Sequence, residues 1–212
     1  MTTVAVNELF VSIQGESSRQ GYPCFFIRLA GCNLRCRYCD TPYARENGGD
    51  TMDIASIVQA CRETDTPLIT ITGGEPLAQP GFGHLANALL ELPSRTVLVE
   101  TNGSYDISAI PEQAITIMDI KCPGSGEADA MDTANPERLR AHDEVKFVLN
   151  DRADYSFALD ALRRFRLTER CRHILFAPAA GKLDPKLLSQ WLIADRPPVR
   201  LQLQWHRLLG VR

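Results

Sequence analysis

The stretch "GCNLRCRYCD" (31–40) places three cysteines, Cys32, Cys36 and Cys39, on one short segment directly after the run "CFFIRLA" (24–30). That run is apolar and aromatic, and it reads as a strand. Gly31 lets the chain turn sharply out of it, and Asn33 supplies turn chemistry. Three thiolates on so short a loop can wrap one metal centre. A structural zinc takes four protein ligands, so three leave two readings open. One is a zinc completed by a distant Cys24, Cys61, Cys122, Cys171 or one of the four histidines. The other is a 4Fe-4S cluster, which ordinarily takes four cysteines and here keeps one iron open for a further ligand.

Outward from this strand, similar runs recur at 68–72, 96–101, 115–120, 144–150, 173–178 and 200–206. Helical periodicity fills 53–64, 82–92, 152–165 and 184–195, the last opening with Asp184 as N-cap and Pro185 as first helical residue. Alternation of this kind predicts parallel strands with helices on the outer side. The stretch 101–135 is poor in helix signals, as if crossovers there were abbreviated. The expectation is therefore an α/β fold, an incomplete barrel or strongly curved sheet, in one domain spanning 1–212. In parallel α/β folds ligands sit at the carboxyl ends of strands, and those ends are polar and specific: "GCNLRC", "TGGEP", "ETNG", "DIKCPGSG" and "APAAG".

A formal net charge of −3 argues against a polyanion binder, which needs a surplus of lysine and arginine to displace counterions. The arginines of "RLRAH" and "ALRRFRLTERCR" read as a solvated helix face, so nucleic acid is not an expected partner. Seven cysteines form no regular disulfide framework, and no signal-like apolar segment follows "MTTVAVNELF". A reducing cytoplasm is expected, with Cys24, Cys61, Cys122 and Cys171 as buried small apolar residues. No apolar run approaches the roughly 18 residues needed to span a bilayer, and no membrane association is expected.

The second polar strand end, "TITGGEP" (70–76), offers Gly73 and Gly74, which let backbone groups approach a ligand closely, and Glu75, a carboxylate able to accept from an ammonium. Glu100 and Asp119 end the next two strands, where they can reach a ribose or a substrate.

The pattern Cys32, Cys36, Tyr38, Cys39 resembles the signature of the radical S-adenosylmethionine enzymes. The resemblance implies the radical SAM fold, here a partial, modified (β/α)6 barrel of mainly parallel strands with abbreviated helices. It also implies one 4Fe-4S cluster on Cys32, Cys36 and Cys39, whose open iron is chelated by S-adenosylmethionine, so that the fourth ligand is the cofactor. Tyr38 would lie against the adenine, and Gly73, Gly74 and Glu75 match the glycine-rich motif that holds the methionine amino group. The cofactor contacts implied are Tyr38, Cys39, Asp40, Gly73, Gly74, Glu75, Glu100, Asp119, Ile120 and Lys121.

The amino-terminal "NELFVSIQGES" (7–17), followed by "FIRLAGCNLRCRYCDT", resembles the 7-carboxy-7-deazaguanine synthase family, which carries a Gln-Gly-Glu element and an arginine four residues before the first cysteine. Ile13, Gln14, Gly15, Glu16, Arg28 and Thr72 are then implied to bind 6-carboxy-5,6,7,8-tetrahydropterin. A carboxylate such as Glu16 suits the 2-amino and ring N–H edge, and Arg28 can fork onto the substrate carboxylate. Alternatively, Glu16 and Arg28 form an ion pair with each other. Thr41 stands where the family helps hold Mg2+, or else caps Pro42 and Tyr43. "LQLQWHR" is similar to a family ending that brings His206 and the carboxylate of Arg212 to the substrate.

The implied reaction yields 7-carboxy-7-deazaguanine with loss of ammonia, after a 5′-deoxyadenosyl radical takes a hydrogen from C6 of the pterin. No side chain is assigned as general acid or base. A homodimer is implied, with an electron donor such as flavodoxin or ferredoxin, serving deazapurine synthesis for queuosine. The chain departs from the family at Asp119-Ile120-Lys121, at Ala177, and at Trp205 and Arg207. Two other readings remain: a glycyl-radical activating enzyme, which shares the cysteine loop but has no use for Gln14, Glu16 and Arg28, and a noncatalytic zinc module.

Overall fold

A computed structural model describes residues 2–46 and 48–211. One sheet of nine strands runs in the order β3-β1-β2-β4-β5-β6-β7-β8-β9. Six of them supply the partial barrel: β2 (Pro23–Leu29), β4 (Leu68–Gly73), β5 (Thr96–Thr101), β6 (Ile115–Asp119), β7 (Glu144–Leu149) and β8 (His173–Pro178). Each is parallel to the next. The short β9 (Arg200–Leu201) continues the parallel order beside β8. The sheet is open, ending in β3 (Asp50–Asp53) on one side and β9 on the other.

The helices are α1 (Ile54–Thr64), α2 (Phe82–Leu90), α3 (Asn135–Arg138), α4 (Arg152–Arg164), α5 (Leu167–Arg170), α6 (Pro185–Asp195) and α7 (Trp205–Leu209). The four longer ones occupy the segments where helical periodicity was expected. Side-chain oxygens of Asp53, Asp151 and Asp184 accept first-turn amides of α1, α4 and α6, which satisfies donors a helix start leaves bare. From β5 to β7 the crossovers carry only single turns and the four-residue α3, as the lack of helix signals over 101–135 implied.

Strand alternation sorts the side chains onto two faces. Ile27, Leu29, Ile69, Ile71, Val97, Val99, Val145 and Phe147 face outward, in one core with Ile57 of α1, Leu85 and Leu89 of α2, and Tyr155 and Ala158 of α4. Each such apolar side chain stabilises the fold by about 1.5–3 kcal/mol on burial. Inward, the lower part of the barrel is filled by Phe10, Cys24, Phe26 and Leu68 in one cluster and Leu98, Ile115 and Ile117 in another. The next inward residues toward the carboxyl ends are Arg28, Thr72, Glu100, Asp119 and Lys146, all facing a cavity.

Three features depart from expectation. The amino terminus is a long strand, β1 (Thr3–Ile13), antiparallel to both β2 and β3. Its register with β2 shifts between Val6 and Glu8. Val4 and Val6 therefore join the outer core while Phe10 lies in the inner cluster, and the broken alternation hides the strand. The polar "DTMD" of β3 serves as an edge strand, where charged residues are favoured. The run 200–206 expected as a strand leaves the sheet after Leu201. Its later backbone is held by residues 15–20 instead, with Gln20 Nε2 donating to Leu203 O at 2.7 Å and Trp205 N to Gly15 O at 3.1 Å. Among the described residues no helix is long and apolar enough to cross a membrane.

Candidate active site

The cysteine loop leaves β2 at Gly31, whose φ of 89° suits glycine. Its shape is set by backbone bonds to the segment that follows, Gly31 N to Ala44 O at 2.9 Å and Cys32 N to Arg45 O at 3.0 Å. Arg35 folds back to donate to the carbonyls of Cys32 and Leu34. The end of β4 forms the loop's seat. Gly74 N donates to Leu29 O at 3.0 Å and Glu75 N to Gly31 O at 2.8 Å. A Cβ on Gly73 would run into the Leu29 backbone, and one on Gly74 into the Gly31 carbonyl.

Cys32, Cys36 and Cys39 all line a cavity of about 650 Å³ at the carboxyl ends of the strands. Cys32 Sγ accepts from Leu34 N at 3.4 Å and lies 3.8 Å from Asn102 Nδ2. Burial pushes the Cys32 and Cys36 thiols up, and Lys121 nearby favours their thiolates. Among the described residues no group of three or more Cys, His, Asp or Glu converges closely enough to hold a single ion. Separate thiols opening on one cavity suit a cluster, in which each cysteine binds its own iron. Cys24, Cys61, Cys122 and Cys171 are buried and none lines the cavity. Burial lifts the thiols of Cys24, Cys61 and Cys171 to about 12.

Opposite the cysteines lies a layer of charge. Arg28 Nε binds Glu8 Oε1 at 2.7 Å, which also accepts from Tyr43 OH at 2.9 Å. The Arg28 guanidinium stands over the Phe10 and Tyr43 rings. Glu16 Oε2 meets Lys146 Nζ at 2.5 Å, and Glu16 Oε1 accepts from Gln204 Nε2 at 2.7 Å. Asp119 Oδ2 pairs with Lys121 at 2.8 Å and lies 4.0 Å from Lys146. Glu100 Oε2 accepts from Thr72 at 2.9 Å. Burial resists ionisation of Glu16, but Lys146 and its other partners outweigh it and hold the carboxyl below its ordinary value. Burial likewise resists the charge on Lys146, and Glu16, Asp119 and Glu100 together hold its pKa above the usual lysine value. Glu100 is pushed up by burial.

The cavity brings together Ile13, Gln14, Gly15, Glu16, Arg28, Tyr38, Asp40, Thr41, Thr72, Gly73, Gly74, Glu100, Asp119, Lys121 and His206 from among the expected residues. Two expected cofactor contacts do not reach it. Glu75 is fully buried, and its carboxylate takes Thr101 Oγ1 at 2.8 Å, Leu77 N at 3.0 Å and Asn102 N at 2.7 Å. Its carboxylate is a bracket between strand ends. The Ile120 side chain turns into the outer core. Arg212 lies outside the described residues. Glu16 and Arg28 bind Lys146 and Glu8, so they are not each other's partners, and the Thr41 side chain makes no cap.

Glu8, Tyr43, Asn102, Lys146 and Gln204 also line the cavity and were not foreseen. For Lys146 a signal exists: it is the one lysine inside the apolar run "EVKFVLN", on the same alternation as Val148, another lining residue. The shifted register of β1 conceals Glu8.

A family model described as the Radical SAM superfamily matches residues 26–168. The 7-carboxy-7-deazaguanine synthase of Chlorobaculum tepidum is 41% identical over 211 residues, covering 96% of this chain and 93% of that protein. That of Koribacter versatilis is 36% identical over 216 residues, covering 96% of each. The crystal structure of QueE from Escherichia coli matches with a TM-score of 0.78 at 22% identity, over 96% of this chain and 95% of that one. At that identity the structural match speaks for the fold.

Proposed function

The chain belongs to the radical SAM superfamily and, within it, to the 7-carboxy-7-deazaguanine synthases, and on that premise we propose that it converts 6-carboxy-5,6,7,8-tetrahydropterin to 7-carboxy-7-deazaguanine with release of ammonia. It is a lyase of deazapurine synthesis that uses a 4Fe-4S cluster and S-adenosylmethionine. One observation carries the reading: the Gln14–Glu16 segment, Arg28 and the three-cysteine loop, separate in sequence, open on the same cavity.

Cys32, Cys36 and Cys39 would hold the cluster, which with S-adenosylmethionine bound supplies a 5′-deoxyadenosyl radical. Tyr38, held by its hydroxyl to Val148 O at 3.3 Å, offers a ring face to the adenine. Gly73 and Gly74 leave room for the methionine end, and Asp40, Glu100, Asp119 and Lys121 supply polar contacts. On the substrate side, Glu16 receives the 2-amino edge of the pterin. Arg28 is bound through Nε to Glu8, which leaves its terminal nitrogens to grip the carboxylate. Ile13, Gln14, Gly15, Thr72 and His206 complete the pterin site. Gln14 Nε2 donates to Thr70 at 3.0 Å while its Oε1 accepts from Glu16 N at 3.1 Å, which fixes the segment over the barrel. Apolar Phe10, Phe26 and Ile117 at the cavity floor exclude water from the reacting ring.

Thr41 also lines the cavity, and one neutral hydroxyl can help hold Mg2+ where substrate oxygens complete the shell. The protein acts as a single domain in the cytoplasm, as a homodimer, with a flavodoxin or ferredoxin as electron donor. Exposed Trp205, Leu208 and Leu209 on α7 support association.

The test is an anaerobic assay of the iron-reconstituted protein with S-adenosylmethionine and a reductant, with and without the pterin, following products by chromatography and mass. Deazaguanine formed only in the full mixture is expected. Cofactor cleavage without deazaguanine would keep the radical enzyme and discard the pterin.

A further inference from the structure

Lys146 belongs to none of the motifs that carry the family resemblance, yet its ammonium is the cation bonded to Glu16. It projects inward from the middle of β7, and the two side chains retain only 12% and 9% exposure. Arg28 is committed to Glu8, and Lys121 to Asp119. A buried carboxylate without a partner takes up a proton rather than keep its charge. The charge on Glu16 therefore depends on Lys146.

We propose that Lys146 is a positioning residue that decides which ring the cavity accepts, by holding Glu16 as an ionised, aimed acceptor for the 2-amino edge of a pterin. The proposal rests on the pterin reading given above.

An ionised carboxylate has lone pairs beyond those used by Lys146 and Gln204. It matches two parallel N–H donors, such as the 2-amino and N3–H of a pterin. A ring with oxygen at C2 puts a lone pair against that charge and is rejected. A neutral Glu16, presenting one O–H donor and one acceptor, suits the 2-oxo ring instead: its O–H meets the ring oxygen and its carbonyl meets N3–H. Lys146 thus acts on specificity through Glu16, with Gln204 fixing the second oxygen. Other charged or titratable groups around Glu16 and Lys146 include Asp119 of β6, Lys121 just beyond it, Glu100 of β5 and His206 of α7.

The experiment is calorimetric binding of 6-carboxypterin and 6-carboxylumazine to the iron-reconstituted protein. The two rings differ at C2 and neither turns over. The wild type should prefer the pterin by about a hundredfold or more, the scale on which a polar site rejects a mismatched group. Lys146→Met should lower that ratio at least about tenfold, chiefly by gaining affinity for the lumazine, which loss of folding does not produce. Lys146→Arg keeps the charge and should keep most of the preference. Iron content and cluster absorption verify that each variant is assembled. An unchanged ratio in Lys146→Met, or a lost preference in an assembled Lys146→Arg, would overturn the proposal. A wild type that binds neither compound would bring down the pterin reading itself, and with it the role of Lys146.

Discussion

The amide of Glu75 bonds the carbonyl of Gly31 at 2.8 Å, so the glycine-rich end of β4 is the surface on which the cysteine loop rests. The motif's glycines serve this backbone contact as well as the cavity.

Gly74→Ala should therefore act on the metal centre before it acts on any ligand. The added methyl meets the Gly31 carbonyl, and overpacking of this kind costs about 1–3 kcal/mol. Iron bound after reconstitution should fall, together with the melting temperature. A variant with full iron content and unchanged melting would refute the seat.

Glu75→Gln tests whether this carboxylate is a bracket or a ligand. It loses charge-assisted bonds from Thr101, Leu77 and Asn102, and its amide N–H2 faces donors. A loss of roughly 1–3 kcal/mol in urea unfolding is expected. Weakened S-adenosylmethionine binding with unchanged stability would restore the ammonium contact that its burial denies.

Arg28→Lys should raise KM for the pterin about tenfold or more while kcat changes little, because an ammonium cannot both bind Glu8 and fork onto a carboxylate. Steady-state kinetics with saturating S-adenosylmethionine reads this directly. A loss confined to kcat would place Arg28 in another role.

The Glu16 and Lys146 pair should appear in acid unfolding. The folded Glu16 pKa is lowered from 4.5, so its stabilisation is complete above the unfolded value and fades as pH falls from there through the folded one. Glu16→Gln, which leaves Lys146 buried without its carboxylate, should cost about 3 kcal/mol near neutrality. The gap from wild type should narrow below pH 4.5. Urea midpoints measured from pH 3 to 7 would show a constant gap if the pair were unimportant.

Much of this was legible in the sequence because period and punctuation agree. The six barrel strands alternate or run apolar between turn residues, and Asp184-Pro185 announces α6. The cysteine spacing and "TGGEP" mark two adjacent strand ends. What escaped depends on distant partners. Glu8 faces Arg28 only because the β1 register shifts at Asn7. Residues 203–206 alternate like a strand, but the β1–β2 loop captures them. Glu75 reads as an exposed carboxylate until three donors from two segments enclose it. Lys146 stood in plain view, a charge in an apolar strand, but its partner lies 130 residues away in sequence.

That long-range closure orders events during synthesis. The backbone seat of the cysteine loop can form once Gly74 and Glu75 have been made, whereas the other side of the cavity needs Lys146 and then Gln204 and His206, far later in the chain. A nascent chain can therefore seat the first residues of its cysteine loop well before the walls of the cavity have met around it.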